Sequence, residues 1–248
     1  MVKYLLKEVK VLKVLIIVPA YCEEKNIVKT VSNINKVNLE EDTLDYIVIN
    51  DGSPDNTKEV CIKNNIKFID LPFNLGIGGA VQTGYKYAYY NNYDIAIQFD
   101  GDGQHDASYI KDLISEIKKG NNVVIGSRFV QELSEFKSTR MRRIGINILS
   151  YLIKLVTKRK IYDPTSGFRA VDKLVIKEFA NNYPIDYPEP DTIVTIIKKG
   201  YKVSEIPVKM NEREHGESSI NFLKSGFYMI KVSLAIIISA LNTKKERD

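Results

Sequence analysis

The chain contains little cysteine. Cys22 and Cys61 are its only cysteines among 248 residues, and neither belongs to a CxxC pair or to a cysteine–histidine cluster. Disulfide frameworks and zinc sites both need several such residues at short spacings. We therefore expect neither of them, and a reducing compartment is the expected environment.

Two further absences narrow the possible functions. Residues 1–8 lack a long apolar stretch and a small-residue cleavage site, so they do not predict a secretory signal, and we expect the protein to stay in the cytosol. The glycine-rich stretch 76–79 has neither GxGxxG nor GxxxxGK[ST] spacing, which excludes a Rossmann or P-loop site. Its glycines predict a helix that packs tightly on a strand, either for packing alone or to bring backbone amides to a nucleotide.

Strand-like and helix-like segments alternate along the first half of the chain. Apolar, β-branched runs of the kind found in strands buried on both faces are separated by segments with helical spacing. This alternation predicts right-handed βαβ units, and hence an α/β fold with a doubly wound, mostly parallel sheet flanked by helices. The predicted strands are 14–18, 46–49, 66–69, 95–97 and 123–125, and the predicted helices are about 24–36, 55–64, 79–90 and 108–119.

A polar loop follows each of the five predicted strands. In doubly wound sheets, ligands bind beyond the carboxyl ends of the strands. Strand-to-helix loops favour Gly, Pro, Asp and Asn in any protein, but here all five loops also carry carboxylates, amides or an arginine. The sequence therefore predicts one binding site built by the loops 19–24, 50–55, 74–79, 100–105 and 126–129.

The turn Asp-Gly-Asp-Gly at 100–103 is the strongest candidate for a metal site. In extended backbone Asp100 and Asp102 lie on the same side, and the glycines let the chain bend closely around a ligand. Two close carboxylates repel each other unless a cation compensates them, and hard oxygen ligands of this kind select Mg²⁺ or Mn²⁺. The plain alternative is an acidic turn in which Asp106 or Ser108 caps the next helix.

Positive charge is concentrated between residues 137 and 160. The chain has a net charge of +5, and this segment holds eight Lys or Arg and no Asp or Glu. Apolar residues recur in it at helical spacing, which predicts a basic amphipathic helix that lies on anionic lipid. A solvated helix packed on the sheet is the alternative. We do not expect nucleic acid as a partner, because the acidic turns would repel its phosphates.

A second apolar segment, 227–241, lies near the C-terminal end. Lys231 interrupts it, and it is shorter than the ~20 residues that span a bilayer. We expect an interfacial or partner-binding helix, followed by the polar tail 242–248. A buried C-terminal helix is the alternative.

Seven motifs occur in order along nearly the whole chain. They are VPAYCEE (18–24), NDGSPDNT (50–57), NLGIGGAVQTG (74–84), DGDGQH (100–105), GSRF (126–129), DPTSGFRA (163–170) and REHGESS (213–219). Together they resemble glycosyltransferase family 2, whose members have the GT-A fold. The DGDGQH, GSRF and TSGFR blocks are most similar to polyprenyl-phosphate sugar synthases of the dolichol-phosphate mannose synthase type, which transfer a sugar from a nucleotide donor to a lipid phosphate with inversion.

The resemblance implies roles for individual residues. Asp100, Asp102 and Arg213 would act on the donor diphosphate, and Asp102 with Gln104 would hold Mg²⁺ or Mn²⁺. Plain alternatives are a core position for Tyr21, a helix-capping role for Arg128 and a surface position for Arg213. The remaining implied donor-binding residues are Pro19, Ala20, Tyr21, Glu23, Asp51 and Gly101, and the implied acceptor-phosphate residues are Arg128, Arg142 and Arg143.

Two positions depart from the family pattern. Cys22 replaces a common asparagine before the Glu-Glu pair, and we expect a tolerated small residue and not a nucleophile. Ser219 replaces a frequent lysine in the late loop, so Arg213 or His215 would contribute more to balancing the diphosphate charge.

Glu189 and Asp191 are the candidates for a catalytic base. A hydroxyl acceptor must lose a proton and needs such a base. A phosphate monoester has a second pKa near ~6 and is already ionised at neutral pH, so these carboxylates would then position sugar hydroxyls instead. The alternative is a helix start whose acidic residues are favoured by the helix dipole.

The resemblance implies a metal-dependent inverting glycosyltransferase that moves a sugar from a UDP- or GDP-linked donor to a polyprenyl (undecaprenyl) phosphate. Its expected place is peripheral, on the cytoplasmic face of the cell membrane, with a small membrane protein as a candidate partner. Residues 1–219 would form the transferase domain, including the basic helix at about 137–160, and residues 220–248 the associated helix and tail. The alternatives are transfer to a hydroxyl of a growing surface polysaccharide, and an inactive module that binds nucleotide sugar or lipid.

Overall fold

The computed structural model describes residues 11–130, 140–186, 188–211 and 222–243. In these residues seven strands form one sheet, and eight α-helices flank it. The strands are β1 (Lys13–Ala20), β2 (Thr43–Asn50), β3 (Phe68–Asp70), β4 (Ile95–Gln98), β5 (Val123–Ser127), β6 (Arg169–Asp172) and β7 (Val203–Pro207). The helices are α1 (Ile27–Asn35), α2 (Thr57–Lys63), α3 (Gly76–Tyr90), α4 (Ile110–Lys118), α5 (Arg140–Thr157), α6 (Lys173–Asn181), α7 (Pro188–Lys198) and α8 (Phe222–Asn242).

The sheet has the order β3-β2-β1-β4-β6-β5-β7. All neighbouring strands pair in parallel except β6, which runs antiparallel to both β4 and β5. The predicted α/β fold with a doubly wound, mostly parallel sheet is therefore confirmed.

Apolar residues of β1 pack on both faces of the sheet. Side chains alternate along a strand, so Leu15 and Ile17 join the core under α3, α6, α7 and α8, while Val14, Ile16 and Val18 join the core under α1 and α4. All five are fully buried. Burial of each such side chain contributes about 1.5–3 kcal/mol, which explains why a continuous apolar run occupies this central strand.

The five predicted strands are all present, and β3 begins at Phe68, two residues later than predicted. Helix α3 begins at Gly76 and not at residue 79, because its first turn includes the glycine-rich stretch. Gly78 in this stretch packs closely on the segment after α6, since a Cβ there would lie 2.2 Å from the carbonyl oxygen of Pro184. The glycine of α3 that packs on a strand is Gly84, where a Cβ would lie 2.2 Å from Cγ2 of Ile17 on β1. Helix α7 begins at Pro188, which agrees with the alternative of a helix start at Glu189 and Asp191, and proline is well tolerated in the first turn of a helix.

Helices α5 and α8 pack against each other at one side of the molecule, and α8 also packs on α7. Val232 and Ile236 of α8 are buried in the core, whereas Ile230, Leu234 and Leu241 are exposed. The buried face agrees in part with the alternative of a buried C-terminal helix. The exposed face can still contact a membrane surface or a partner. Among the helices that the structure describes, none combines the length and the apolarity that crossing a bilayer requires. Residues 137–139 of the predicted basic helix lie outside the described residues.

Candidate active site

The predicted loops meet at one edge of the sheet. The carboxyl ends of β1, β2, β4 and β5 lie on the same side, and the antiparallel β6 begins there. Backbone hydrogen bonds join the loops: the N–H of Asp51 donates to the carbonyl of Ala20 over 2.9 Å, and the N–H of Gly101 donates to the carbonyl of Pro19 over 3.3 Å. Residues far apart in the sequence thus share one polar surface.

The loop after β1 carries Tyr21 and Glu23. Tyr21 is 49% exposed, so the alternative of a core aromatic is wrong, and its ring is accessible to a ligand. The backbone N–H of Glu23 donates to Oγ1 of Thr57 over 2.9 Å, and its carboxylate accepts a hydrogen bond from Nδ2 of Asn26 over 2.7 Å. These bonds fix the loop against the start of α2. The donor-binding roles of the loop residues stay predictions.

Cys22 lies in the same loop with a left-handed φ of 58°. Its backbone N–H donates to Oγ of Ser53 over 3.1 Å, which joins this loop to the one after β2. Desolvation, followed by the nearby carboxylate of Asp55, raises the pKa of the Cys22 thiol. A cysteine nucleophile normally has a lowered pKa, so the chemistry at Cys22 favours the expected passive role.

Asp51 is buried and ties β2 to α3. Its Oδ1 accepts a hydrogen bond of 2.7 Å from the backbone N–H of Leu75, directly before the first residue of α3. Burial raises the pKa of this carboxyl, and the amides of Leu75 and Gly76 oppose that shift. The structure therefore gives Asp51 an architectural contact, and its predicted role at the nucleoside remains a prediction.

Asp100 and Asp102 follow β4 and have different surroundings. Asp102 is 7% exposed, and its Oδ1 accepts a 3.0 Å hydrogen bond from the N–H of Gln104. The side chain of Asp100 is 36% exposed. Oγ1 of Thr30 on α1 donates to the carbonyl of Gly101 over 3.0 Å, which holds the turn in place.

The capping role that we considered for this turn belongs to Asp106. Its Oδ1 accepts a 2.9 Å hydrogen bond from the N–H of Ser108, at the start of a short 3₁₀ turn (Ala107–Tyr109) that precedes α4. Asp100 and Asp102 are thus not used as caps.

Three residues surround the carboxylate of Asp100. Nε2 of Gln98 lies 3.4 Å from its Oδ1, and Nε2 of His105 lies 3.5 Å from its Oδ2. A Cβ at Gly167 would lie 3.1 Å from both oxygens, and 2.8 Å from Nε2 of Gln98. Glycine at 167 therefore leaves just enough space for the carboxylate in this position.

The donor atoms at this turn fit a divalent ion that binds together with a phosphate ligand. The structure's described part contains no group of three or more His, Cys, Asp or Glu side chains arranged to hold a metal ion. Mg²⁺, however, is commonly bound by one or two carboxylates plus substrate phosphates. Carboxylate oxygens from Asp100 and Asp102 and an amide at Gln104 match that pattern.

Arg128 forms a buried ion pair with Asp163. Its Nε and Nη2 donate to the two carboxylate oxygens over 2.7 Å each, and Nη2 also donates to Oγ1 of Thr165 over 2.9 Å. The backbone N–H of Asp163 in turn donates to the carboxylate of Glu205 over 2.9 Å. Arg128 is therefore not a helix cap, so that alternative is wrong. Its predicted role at an acceptor phosphate stays a prediction.

Phe129 brings a second arginine to the same edge. The guanidinium carbon of Arg143, on the first turn of α5, lies 4.2 Å from the centre of the Phe129 ring, and that of Arg128 lies 5.2 Å from it. The exposed Arg142 is its neighbour on α5. Two of the three arginines predicted to receive an acceptor phosphate thus contact one aromatic ring.

Glu189, in the first turn of α7, lies near Asp100 and Gln98. Burial raises the pKa of its carboxyl, and the charge of Arg169 opposes that shift. The charge of Asp100 also raises this pKa, whereas a hydrogen bond with Gln98 lowers it. Arg169, buried at the start of β6, donates to the carbonyl of Glu189 over 3.3 Å and to Oγ1 of Thr192 over 3.0 Å. The acidic helix start is therefore joined to the sheet beneath the site.

Asp191 contacts a different part of the molecule. Oγ of Ser239 on α8 donates to its Oδ1, and burial raises the pKa of the Asp191 carboxyl. Asp191 also lines a pocket of about 440 Å³ between α3, α6, α7 and α8, together with Gln82 and Tyr183. Of the two predicted bases, the contacts favour Glu189. Arg213, with the rest of the late motif 213–219, lies outside the described residues, as does Tyr187.

A family model described as Glycosyl transferase family 2 matches residues 15–179, well over half of the chain. The chain belongs to glycosyl transferase family 2. The prediction of a glycosyltransferase is thereby confirmed.

Two relatives of this family 2 transferase are named as sugar transferases of dolichyl or dolichol phosphate. A UDP-N-acetylglucosamine–dolichyl-phosphate N-acetylglucosaminyltransferase from Methanococcus voltae is 31% identical over 233 residues, covering 86% of this chain and 91% of the relative. A dolichol-phosphate mannosyltransferase from Pyrococcus furiosus is 32% identical over 217 residues, covering 84% of this chain and 59% of the relative. The predicted resemblance to polyprenyl-phosphate sugar synthases is confirmed by these relatives.

A solved structure shares the fold. Glucosyl-3-phosphoglycerate synthase from Mycobacterium tuberculosis, in complex with Mn²⁺, UDP and phosphoglyceric acid, superimposes with a TM-score of 0.71. It is 16% identical, and the match covers 95% of this chain and 80% of that one. The likeness confirms the GT-A architecture of the transferase.

Sequence reasoning gave no role to five residues that the structure brings to the site. They lie in or beside recognised motifs, but a motif does not reveal which side chains contact one another. No local signal marked them, because β6, which places Arg169 beside Gln98, was not itself predicted. The five residues are Gln98, His105, Asp163, Gly167 and Arg169.

Proposed function

We propose that this transferase moves a sugar from a nucleotide-sugar donor to the phosphate of a polyprenyl phosphate. The proposal rests on two different groups of charged side chains that lie at the same edge of the sheet. Carboxylates at Asp100 and Asp102 suit a donor diphosphate with its metal, and the guanidinium groups around Phe129 suit a second, anionic substrate. The named activities of the relatives from M. voltae and P. furiosus support the same reaction class.

The donor would bind across the loops after β1, β2 and β4. Tyr21, exposed at the edge, and Asp51 would contact the nucleoside, while Asp100 would face the diphosphate, with the metal offsetting the charge of the carboxylate. Asp102 and Gln104 would hold Mg²⁺ or Mn²⁺, which when bound supplies charge stabilisation for the departing diphosphate. The neighbour with bound Mn²⁺ and UDP supports this choice of ion and of nucleotide class.

The acceptor phosphate would bind on the arginine side. A phosphate monoester is anionic at neutral pH and serves as its own nucleophile, so this reaction requires no proton removal. Arg143 and Arg142 would neutralise the phosphate, and Arg128, held by Asp163, would set the position of Phe129 between the two guanidinium groups. Direct attack by the phosphate oxygen on the sugar inverts its anomeric centre.

A lipid acceptor requires access to a membrane, and α5 and α8 offer a suitable surface. Exposed apolar residues follow one side of α5 at spacings of three and four, and α8 beside it carries a similar stripe. Basic residues of α5 and of the turn after it flank the apolar stripe, as in helices that lie on anionic lipid. We therefore propose a peripheral position on the cytoplasmic membrane face. The exposed stripes are Met141, Ile144, Ile148, Tyr151 and Leu155 on α5, and Ile230, Leu234, Ile237, Ile238 and Leu241 on α8.

An assay with purified protein tests the proposal. It would combine undecaprenyl phosphate, Mg²⁺ or Mn²⁺, and a panel of UDP- and GDP-sugars, with detection of a lipid-linked product by mass spectrometry. We expect product with one donor, lost on chelation of the metal. Absence of any lipid-linked product with all common donors would contradict the proposal.

A second candidate is transfer to a sugar hydroxyl, because Glu189 is a half-buried carboxyl near Asp100 and Gln98, and burial raises its pKa. A hydroxyl acceptor would need Glu189 as its base. Glu189→Gln should then abolish transfer while donor binding persists. With a phosphate acceptor, the same variant should retain measurable transfer.

A further inference from the structure

We propose that His105 is a positioning residue that orients the carboxylate of Asp100 through both of its ring nitrogens. The inference deepens the proposed function, since it rests on Asp100 serving the nucleotide-sugar donor. The motifs alone imply no role for His105.

The two ring nitrogens face different parts of the same aspartate. The backbone N–H of Asp100 donates to Nδ1 of His105 over 3.0 Å, so Nδ1 presents its lone pair and carries no proton. The neutral ring then has its proton on Nε2, which lies 3.5 Å from Oδ2 of Asp100. One side chain thereby accepts a hydrogen bond from the backbone of Asp100 and places its Nε2–H within 3.5 Å of the carboxylate.

The imidazole ring is itself held firmly. It stacks on Phe168 with ring centres 4.7 Å apart and an angle of 17° between the planes, and it meets Phe99 edge-on at 5.3 Å. An isolated antiparallel bridge pairs His105 with Met210. Because ring and backbone are both fixed, the Nε2–H direction is set before any ligand arrives.

A neutral donor suits this position better than a cation. A positive charge beside Asp100 would compete with a metal ion for the carboxylate, whereas an N–H dipole orients the oxygen and leaves its charge available. Gln98 acts on Oδ1 and His105 on Oδ2, while the absence of a side chain at Gly167 leaves room between them. Partners of this kind typically change metal affinity or activity by about 10–100-fold when removed.

Two conservative variants separate the two contacts. In His105→Asn the side-chain oxygen lies near the place of Nδ1, so it can accept from the Asp100 amide but cannot reach the carboxylate. In His105→Gln the terminal nitrogen lies near the place of Nε2 and can still donate to Oδ2. We expect His105→Asn to bind Mn²⁺ with UDP or GDP about 10–100-fold more weakly by calorimetry, and His105→Gln to recover much of that loss.

Thermal unfolding of each variant shows whether a loss of binding merely follows a loss of folding. Equal nucleotide affinity in the wild type and both variants would overturn the inference, and so would equal losses in both variants in proportion to their lowered stability. A wild-type protein that binds neither Mn²⁺ with UDP nor Mn²⁺ with GDP would contradict the proposed function itself, which is a separate result.

A measurement without metal or nucleotide tests the tautomer directly. The chain has two histidines, His105 and His215, so ¹⁵N-histidine labelling gives two ring systems, and His215→Gln identifies the signals of His105. We expect a protonated Nε2 and an unprotonated Nδ1 at neutral pH. A proton on Nδ1, or on both nitrogens, would overturn the inference.

Discussion

Asp100 and Asp102 are one residue apart, yet their environments suit different tasks. Asp102 is nearly buried and is held by the N–H of Gln104 within its own turn. Asp100 is more exposed and is oriented from outside the turn by Gln98 and His105. A carboxylate fixed within its turn suits a metal ion, and one oriented by separate donors suits the side of the site that would face the donor, where the same ion would offset its charge.

Replacing Asp102 with Asn should abolish most of the transfer activity. The substitution removes a negative charge while keeping the size of the side chain, so we expect a fall in rate of about 100-fold or more. Sugar transfer measured across a range of Mn²⁺ concentrations tests this. Asp106→Asn is the matched control, because Asp106 caps the next turn and Asn caps equally well. Equal activity of the two variants would contradict the assignment of Asp102 to the metal.

Gly167→Ala should impair activity more than folding. The new Cβ would lie about 3.1 Å from both Asp100 oxygens and 2.8 Å from Gln98, so the carboxylate must shift, and we expect about 100-fold slower transfer. Gly120→Ala is the control, and it should lower the free energy of unfolding more than the activity. Its φ of 93° strains alanine by roughly 1–2 kcal/mol, but no atom lies within 4 Å of the added carbon. An active Gly167→Ala enzyme would show that the carboxylate position is not critical.

At the residue scale, the sequence predicts which loops carry the chemistry but not how their side chains pair. Arg128 is recognisable from its GSRF motif, whereas its partner Asp163 lies 35 residues further along the chain. No local pattern links the two. Likewise, the contact of Gly167 with Asp100 depends on the antiparallel placement of β6 beside β4, which pairs Arg169 with Gln98.

At the element scale, helices α5 and α8 each divide into a buried face and an exposed apolar face. Ile146, Leu149 and Ile153 of α5 are buried, as are Val232 and Ile236 of α8. The remaining exposed stripes lie on two helices that pack side by side. Their combined surface is larger than either helix alone would offer to a lipid headgroup region.

Ile148→Glu should weaken binding to anionic vesicles without affecting the fold. Ile148 is an exposed member of the α5 stripe, and insertion of such a side chain into lipid contributes about 1.5–3 kcal/mol. We therefore expect at least about tenfold weaker co-sedimentation with phosphatidylglycerol vesicles. Ile62→Glu on α2 is a control with the same charge change at another exposed isoleucine. Equal losses from both variants would argue against a membrane surface on α5.

The elements themselves were largely predictable where the hydrophobic pattern was strong. Four of the five predicted strands, β1, β2, β4 and β5, follow from apolar runs that are buried on both faces, because such runs have few alternative structures, whereas the edge strand β3 is only partly buried. Strands β6 and β7 were not predicted: Arg169–Asp172 places a buried arginine in a strand of four residues, and Val203–Pro207 has two adjacent polar residues in a strand of only five. Their positions depend on pairing with β4 and β5, which is a tertiary effect.

At the scale of the whole molecule, the Arg128–Asp163 pair links stability to the site. Asp163→Asn would leave a buried guanidinium without its compensating charge, and we expect a loss of about 3–5 kcal/mol in the free energy of unfolding. Denaturant titration measures the change. Glu116→Gln, which breaks a surface pair with Lys119, should cost less than about 1 kcal/mol. Similar small losses in both variants would mean that the buried pair contributes little to folding.

We propose that the enzyme glycosylates a phosphate and not a hydroxyl. The most direct measurement compares undecaprenyl phosphate with undecaprenol, which has the same chain but ends in a hydroxyl, using one active nucleotide sugar and Mn²⁺. We predict lipid-linked product with the phosphate alone. Product with undecaprenol alone, or at equal rates with both lipids, would contradict the account.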